Sequence, residues 1–395
     1  MTDHILTLNA GSSSIKFSLL DASGAALALR ASGEIDGLGG ARAHFKAKSA
    51  DGARLADAAF ADGEAHDYDA GLRRLLAFLS ERFPDARIPA VGHRVVHGGA
   101  HFDRPIRIDD TALAALAELE PLAPLHQPHN LAGVRAARAA FPEAMQVACF
   151  DTAFHRGHAF VNDVYALPRK LYDEGLRRYG FHGISYDYVS RRFATIEPAL
   201  AKGRLVVAHL GNGASACAIR EGRSVACTMG FSTIDGLPMG TRPGQLDPGA
   251  LLYLIEARGY DIKALNELLY KQSGLKGLSG ISNDLRDLEA SAEPHAREAI
   301  DFLAHRIRYE VAGLAACLGG LDALIFTAGV GEHSALVRGL VMDGLGFLGV
   351  NGDPALNAYH APRISADGSP VGVFIVPTNE ELRIAELTDA LRRTN

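Results

Sequence analysis

No stretch of the sequence carries 18 consecutive apolar residues, so no membrane-spanning helix is expected. The opening MTDHILTLN has neither a basic n-region nor a long apolar core, so no secretory signal is expected. Basic residues are not in excess: 40 Lys and Arg stand against 46 Asp and Glu, a net charge of −6. That balance gives no electrostatic reason to expect nucleic acid or an anionic membrane as a partner. Cysteine is scarce too. Cys149, Cys217, Cys227 and Cys317 have no spacing suited to zinc or to a redox pair, and each lies among Ala and Val or similar small residues. They are expected to be small buried hydrophobes. A reduced, cytoplasmic protein follows as the expectation.

What is present is ordinary globular material: 48% hydrophobic and 22% charged residues. A chain of 395 residues suggests about two to three domains. HILTLN, IKFSLLD and ALALRASGEI near the start are short β-favouring runs separated by Gly-Ser and Ala-Ser-Gly turns. Leu72, Leu75, Leu76 and Leu79 give residues 68–83 a helical spacing. A strand is expected at 90–96, helices around 109–119 and 130–140 with Asn130 as the cap of the second, and a buried strand in MQVACF. A final helix follows Pro377, its apolar stripe imperfect at Glu386 and Asp389, as at a domain junction. Alternating strands and helices indicate an α/β fold.

Two stretches repeat one design. LNAGSSSIKFSLLDASG begins at Leu8 and LGNGASACAIREGRSVACT at Leu210. Each has an apolar strand, a turn of small residues, a second strand, a short turn and a third strand. The spacing aligns Gly11 with Gly213 and Ser13 with Ser215, as in an internal duplication. Two such turns on two similar domains would hold one polyphosphate. The second stretch also fits G-x-G-x-x-A, but a hairpin with a Glu-Gly turn follows where a dinucleotide-binding helix would be needed. A dehydrogenase reading fails there. In 322–341 a strand, a Gly-rich turn and a helix start bearing Glu332 and Ser334 suit an anion.

Histidines supply the rest. In HRVVH the flanking Val-Val and Gly98-Gly99 argue for a strand, so His93 and His97 are not expected to bind zinc. His126, His129, His155, His182 and His209 lie beside small residues in loop-like strings. With Arg94 and Arg242 they suggest a cationic pocket for an anionic substrate. Asp151, just after a strand, stands where α/β folds place their sites.

Eight motifs then occur in order over nearly the whole chain: LNAGSSSIKFSLL, GHRVVHGG, FDTAFH, RRYGFHGIS, AHLGNGAS, MGFSTIDGLPMGTR, IFTAGVGEHS and TNEEL. With these the chain resembles the acetate and propionate kinase family. The resemblance implies the acetate and sugar kinase, Hsp70 and actin fold (ribonuclease H-like), with two duplicated α/β domains and an active-site cleft. Residues 1–151 with 381–395 would form the N-terminal domain. Residues 152–380 would form the C-terminal, nucleotide-binding and dimerising one. It implies reversible in-line phosphoryl transfer between ATP and acetate, giving ADP and acetyl phosphate, with Mg²⁺ or Mn²⁺, in a homodimer. An actin- or Hsp70-like ATPase would need no cationic acyl pocket, and Arg94 and Arg242 argue against it.

The resemblance also distributes roles. Asn9 and Glu380 match metal-associated positions, and Lys16 a nucleotide phosphate contact. Arg94, Arg242, Asp151, His182, His209 and His126 match catalytic positions. His209, Leu210, Gly211, Asn212 and Gly213, then Asp284, Leu285 and Arg286, then Gly329, Val330, Gly331, Glu332 and His333, match the segments around ATP. Val96, Leu125 and Phe181 match the acyl-methyl pocket, with Arg94 beside them. A carboxylate acceptor is already ionised at neutral pH, so Asp151 is expected to orient an arginine or a Mg²⁺-bound water rather than take a proton. The chain departs from the common family pattern at Ile184, Tyr186, Gln127, His129, Thr233, Pro243, Gln245 and His333. Thr233 borders the acyl pocket, and acetate against propionate stays open.

Overall fold

The computed structural model describes residues 2–11, 13–40, 43–60 and 67–394. Ser12, expected as a turn donor, lies outside them. The chain forms two compact units, residues 1–154 with 379–395, and residues 155–378.

The first unit is built on an eight-stranded sheet in the order β5-β4-β3-β2-β1-β6-β8-β7. Its strands are β1 (Thr2–Ala10), β2 (Ser14–Asp21), β3 (Ala28–Asp36), β4 (His44–Ser49), β5 (Arg54–Ala59), β6 (Ala86–Val95), β7 (Ile106–Arg107) and β8 (Met145–Phe150). Strands β1, β6 and β8 are parallel neighbours, and β2 returns antiparallel on β1. Leu6, Leu8, Phe17 and Leu75 are buried, and the Phe45 and Phe78 rings meet edge-on at 5.1 Å. The Glu380–Thr394 helix lies against β1, β6 and β8, burying Ile384, Ala385 and Thr388.

The second unit repeats the plan with five strands in the order β11-β10-β9-β12-β13. These are β9 (Arg204–Leu210), β10 (Ala214–Arg220), β11 (Arg223–Cys227), β12 (Ala323–Thr327) and β13 (Gly372–Ile375). Strand for strand, β3-β2-β1-β6-β8 and β11-β10-β9-β12-β13 share order and direction. The Pro294–Leu318 helix covers β9 to β11. The Glu221-Gly222 turn joining β10 to β11 has positive φ at both residues, 52° and 71°, which the twist of a tight hairpin requires.

The duplication is therefore real, but its register differs from the sequence alignment. The last paired residues are Ala10 with Ile15 in one hairpin and Leu210 with Ala214 in the other. Gly11 N donates to Ser14 O at 2.8 Å, and Gly211 N to Gly213 O at 3.1 Å. The counterpart of Gly11 is thus Gly211, not Gly213. Lys16, opposite Asn9, corresponds to Ser215, opposite His209. The first turn is one residue longer, which an ungapped alignment cannot absorb.

Three further expectations change. Asn130 is not a cap: the helix runs Gln127–Ala140 and starts after His126. Its amide instead donates to Ala10 O at 2.6 Å and accepts from Val96 N at 2.9 Å. The stretch after β12 is no open turn but a short helix, Ala328–His333, and Ser334 caps a second one, Ala335–Asp343. Cys149, Cys217 and Cys227 are buried as expected, while Cys317 is exposed.

Candidate active site

In the first unit the site grows from the carboxyl ends of parallel strands. Arg94 is the second-last residue of β6, and Asp151 follows β8 directly, its N–H donating to Val95 O at 3.2 Å. Their side chains form a two-point pair. Nε donates to Oδ1 at 3.1 Å and Nη2 to Oδ2 at 2.6 Å. Asp151 is almost wholly buried, so this pairing is strong and directional. Glu380, at the start of the last helix, sets its Oε2 3.6 Å from Arg94 Nε. Burial raises the Glu380 carboxyl above its ordinary range, Glu381 adds to the rise, and Arg94 and Lys16 oppose it.

Asn9 and Lys16 face each other across the β1–β2 ladder, Asn9 half-buried and Lys16 exposed. The Tyr68 hydroxyl donates to Gly11 O and ties the turn to the Tyr68–Arg82 helix. Asn130 ties the ends of β1 and β6 together. Gln127, buried, donates to His97 O and Leu116 O and accepts from His97 N. His126 is half-buried at the head of its helix, Val96 is buried, and Leu125 is 42% exposed. His93 Nε2 and Gln146 Oε1 lie 2.8 Å apart, and burial lowers the His93 pKa to about 4.

In the second unit two histidines stack. The His182 and His209 rings lie 4.2 Å apart at 18°. His182 occupies the left-handed region, φ 57°, as the residue that opens the Gly183–Ile196 helix. Its Nδ1 is 2.8 Å from Ser215 Oγ, and Tyr186 Oη is 2.5 Å from that same oxygen. Ser185 Oγ lies 2.8 Å from both His209 Nδ1 and Thr378 Oγ1. Arg242 donates Nη1 to Thr233 O at 2.8 Å. A methyl group on Gly213 would come 3.1 Å from His182 Nε2 and 3.3 Å from Arg242 Nη2. Both donors therefore converge on the β9–β10 turn, whose missing side chain leaves them room.

Beside that turn is a pocket of about 530 Å³. Leu210, Gly211, Asn212, Asp284, Leu285, Arg286, Gly329, Val330 and His333, from the three segments that the resemblance assigns to ATP, line it. Met239, Gly240, Leu275 and Asn283 also line it, the first two from within MGFSTIDGLPMGTR and the last two from outside any of the eight motifs. His209, Gly213, Gly331 and Glu332 do not line it. Glu332 turns inward instead, accepting from Ala328 N and Thr378 N. Arg338, fully buried, donates to Gly331 O and Glu332 O and so fixes the end of the Ala328–His333 helix.

His155 was expected in a cationic pocket, and the structure corrects this. It is fully buried, its Nε2 donating to Phe181 O at 2.9 Å and its Nδ1 2.8 Å from Ser224 Oγ. Burial drives its pKa well below the ordinary value, so it is neutral. Its hydrogen bonds go to the Phe181 carbonyl and the Ser224 hydroxyl, not to a charged group. Phe181 itself is buried.

The acetokinase family profile matches residues 4–386. The chain belongs to the acetokinase family. It is 50% identical to the acetate kinase of Methylocella silvestris over 99% of this chain and 98% of that one. The acetate kinase of Nitrobacter hamburgensis is 49% identical over 98% and 96%. Among solved structures, Porphyromonas gingivalis acetate kinase superimposes with a TM-score of 0.90 at 36% identity, over 99% of this chain and all of that one. A propionate kinase from Francisella tularensis gives 0.91 at 35%, over 98% and 99%. The fold is that of the acetate and propionate kinases, and the family's enzymes are phosphotransferases that use a carboxyl group as acceptor.

Proposed function

We propose that this chain is an acetate kinase, transferring the γ-phosphoryl group of ATP in line to an acetate oxygen and running in reverse from acetyl phosphate and ADP. The observation that carries the reading is the convergence of His182 Nε2 and Arg242 Nη2 on the β9–β10 turn. Two fixed donors at a small-residue turn suit an oxygen-rich, negatively charged transition state. Acetate ionises far below neutral pH, so no base is required. Its oxygen attacks phosphorus, the bond from the γ-phosphorus to the bridging oxygen breaks, and ADP leaves with the electron pair.

Arg94 presents a planar fork to carboxylate or phosphoryl oxygens. Asp151 holds that fork in place and is the orienting group, not a proton acceptor. Lys16 and the β1–β2 turn take phosphate oxygens. Val96, Leu125 and Phe181 receive the methyl group. The pocket beside Gly211 receives the nucleotide. His126 and His209 complete the donor set.

Asn9 and Glu380 both offer oxygen, the Glu380 carboxylate with its Oε2 3.6 Å from Arg94 Nε. That set fits a hard divalent ion taking most of its ligands from water and phosphates, as Mg²⁺ does. When bound, such an ion neutralises phosphate charge. We assign residues 1–151 with 381–395 to an N-terminal domain, and 152–380 to a C-terminal domain for nucleotide binding and dimerisation. A homodimer accounts for the Pro248–Arg258 helix, which buries no residue and exposes Leu252, Tyr253 and Ile255, with Phe302 and Tyr309 also exposed on the Pro294–Leu318 helix. No helix among the described residues is long and apolar enough to cross a membrane. We place the enzyme in the cytoplasm, where its unpaired cysteines would stay reduced.

Propionate is the second reading, favoured by the likeness to a propionate kinase. One added methylene changes selectivity by only about 1–3 kcal/mol. Trapping acyl phosphate with hydroxylamine, with ATP and Mg²⁺ and acetate, propionate or butyrate in turn, tests both. Acetate is expected to give the highest kcat/KM. Acyl hydroxamate from none of the three would overturn the assignment.

A further inference from the structure

We propose that Tyr186 is a positioning residue that fixes which nitrogen of His182 carries the proton. Ser215 Oγ sits between them, 2.5 Å from Tyr186 Oη and 2.8 Å from His182 Nδ1. Tyr186, Ser215 and the ring faces around them are buried. The Tyr186 ring meets His155 edge-on at 5.8 Å and His209 at 6.3 Å.

The direction of each hydrogen bond follows from counting protons. Among the described residues Ser215 Oγ is the single hydrogen-bond partner of Tyr186 Oη. Were Ser215 to donate to the phenol, the phenolic proton would be left buried without an acceptor. A buried donor left unsatisfied costs about 1–3 kcal/mol. Tyr186 therefore donates to Ser215. Ser215 has one proton of its own, and it goes to His182 Nδ1. A nitrogen that accepts a hydrogen bond carries no proton, so in the neutral ring the proton lies on Nε2. Burial also pushes the Tyr186 phenol well above its usual range, so this donor does not ionise.

His182 Nε2 is the nitrogen beside Gly213 and Arg242 Nη2. The relay thus delivers an N–H donor to the side where the proposed phosphoryl oxygen lies. Resting on the proposed function, this gives His182 the role of a neutral donor rather than a base. A phenol remains available as a donor at neutral pH.

The test is a long-range ¹H–¹⁵N spectrum of the intact enzyme's histidine rings at neutral pH, with His182 identified by its loss in His182→Gln. His182 is expected to show a bare Nδ1 and a protonated Nε2. In Tyr186→Phe the spectrum is expected to move toward the Nδ1–H form. There kcat should fall about tenfold, a fraction of the 10²–10³ that losing a donor outright costs, while the KM for ATP stays within about twofold. A proton on Nδ1 in the unaltered enzyme, or an unchanged ring spectrum in Tyr186→Phe, overturns the proposal. Should Tyr186→Phe not fold, the unaltered enzyme's spectrum decides alone. The spectrum needs no turnover, so its failure is separate from a failure of the acyl-phosphate assay.

Discussion

The Arg94 guanidinium and the Asp151 carboxylate meet along two parallel hydrogen bonds, Nε to Oδ1 at 3.1 Å and Nη2 to Oδ2 at 2.6 Å. The carboxylate has almost no exposure to water, and the pair joins the ends of β6 and β8. An aspartate so engaged is an anchor. Asp151→Asn keeps the shape but removes the charge that holds the fork. Steady-state kinetics should show kcat reduced about 100-fold or more, the scale of breaking a buried pair. No acid limb in the kcat profile should vanish with the substitution. An Asp-dependent limb would mean that Asp151 handles a proton after all.

Lys16 is exposed and faces Asn9, so little folding energy depends on its charge. Lys16→Ala should leave the unfolding temperature within about 2 °C. The KM for ATP should rise about tenfold, the loss of one charge-assisted hydrogen bond of about 1.5 kcal/mol. Unchanged nucleotide kinetics would remove the β1–β2 turn from the phosphate site.

Gly180 has φ 74°, and a methyl group there would lie 2.6 Å from the His155 ring. His155 holds the Phe181 carbonyl at 2.9 Å, so the added carbon pushes on the peptide that carries Phe181 and His182. Gly180→Ala is expected to cost roughly 1–3 kcal/mol in urea unfolding. Acetate KM should rise severalfold while ATP KM holds. Equal changes in both would show that His155 and Gly180 support the whole unit and not the acyl side in particular.

Buried His93 and half-buried His158, together with buried His155, set a pH limit on stability. Burial lowers His93 to about 4, and burial with Arg156 and Arg178 lowers His158 to about 4, from an unfolded value near 6.5. Between those values the unfolded chain binds protons that the folded chain refuses. Stability therefore rises with pH across the window and falls as pH drops from about 6.5 toward 4. Each histidine contributes roughly 2–3 kcal/mol to that slope. Urea midpoints measured from pH 7 to pH 4.5 should fall, and His93→Gln should flatten the curve. A flat profile in the unaltered protein would contradict the neutral state of these rings.

Much of this was legible in the sequence, and the exceptions have physical causes. The β1–β2 and β9–β10 hairpins announced themselves through small-residue turns between apolar runs. A helix after GNGASA was excluded by the Glu221-Gly222 turn, which the backbone confirms. Asn130 was misread because Asn ordinarily caps helices, whereas here two hydrogen bonds to Ala10 and Val96, 120 and 34 residues away, set its place. Strand β4 carries two lysines and β5 is Ala-rich, and they form because β3 offers β4 an edge and β4 offers one to β5. His155 looked cationic among its neighbours in the chain, but burial is a property of the fold. Leu275 and Asn283 reach the pocket beside Gly211 from segments outside any motif, so no local pattern could name them.

Transfer from ATP directly to an acetate oxygen is the central claim, and acetate labelled with ¹⁸O tests it most directly. The enzyme, ATP and Mg²⁺ are incubated with the labelled acid, and the acetyl phosphate is read by ³¹P NMR. The account predicts an isotope-shifted phosphorus carrying one ¹⁸O in the bridge to carbon, formed in step with ADP. Phosphate and ADP released at a rate independent of acetate, with no labelled acyl phosphate, would contradict it.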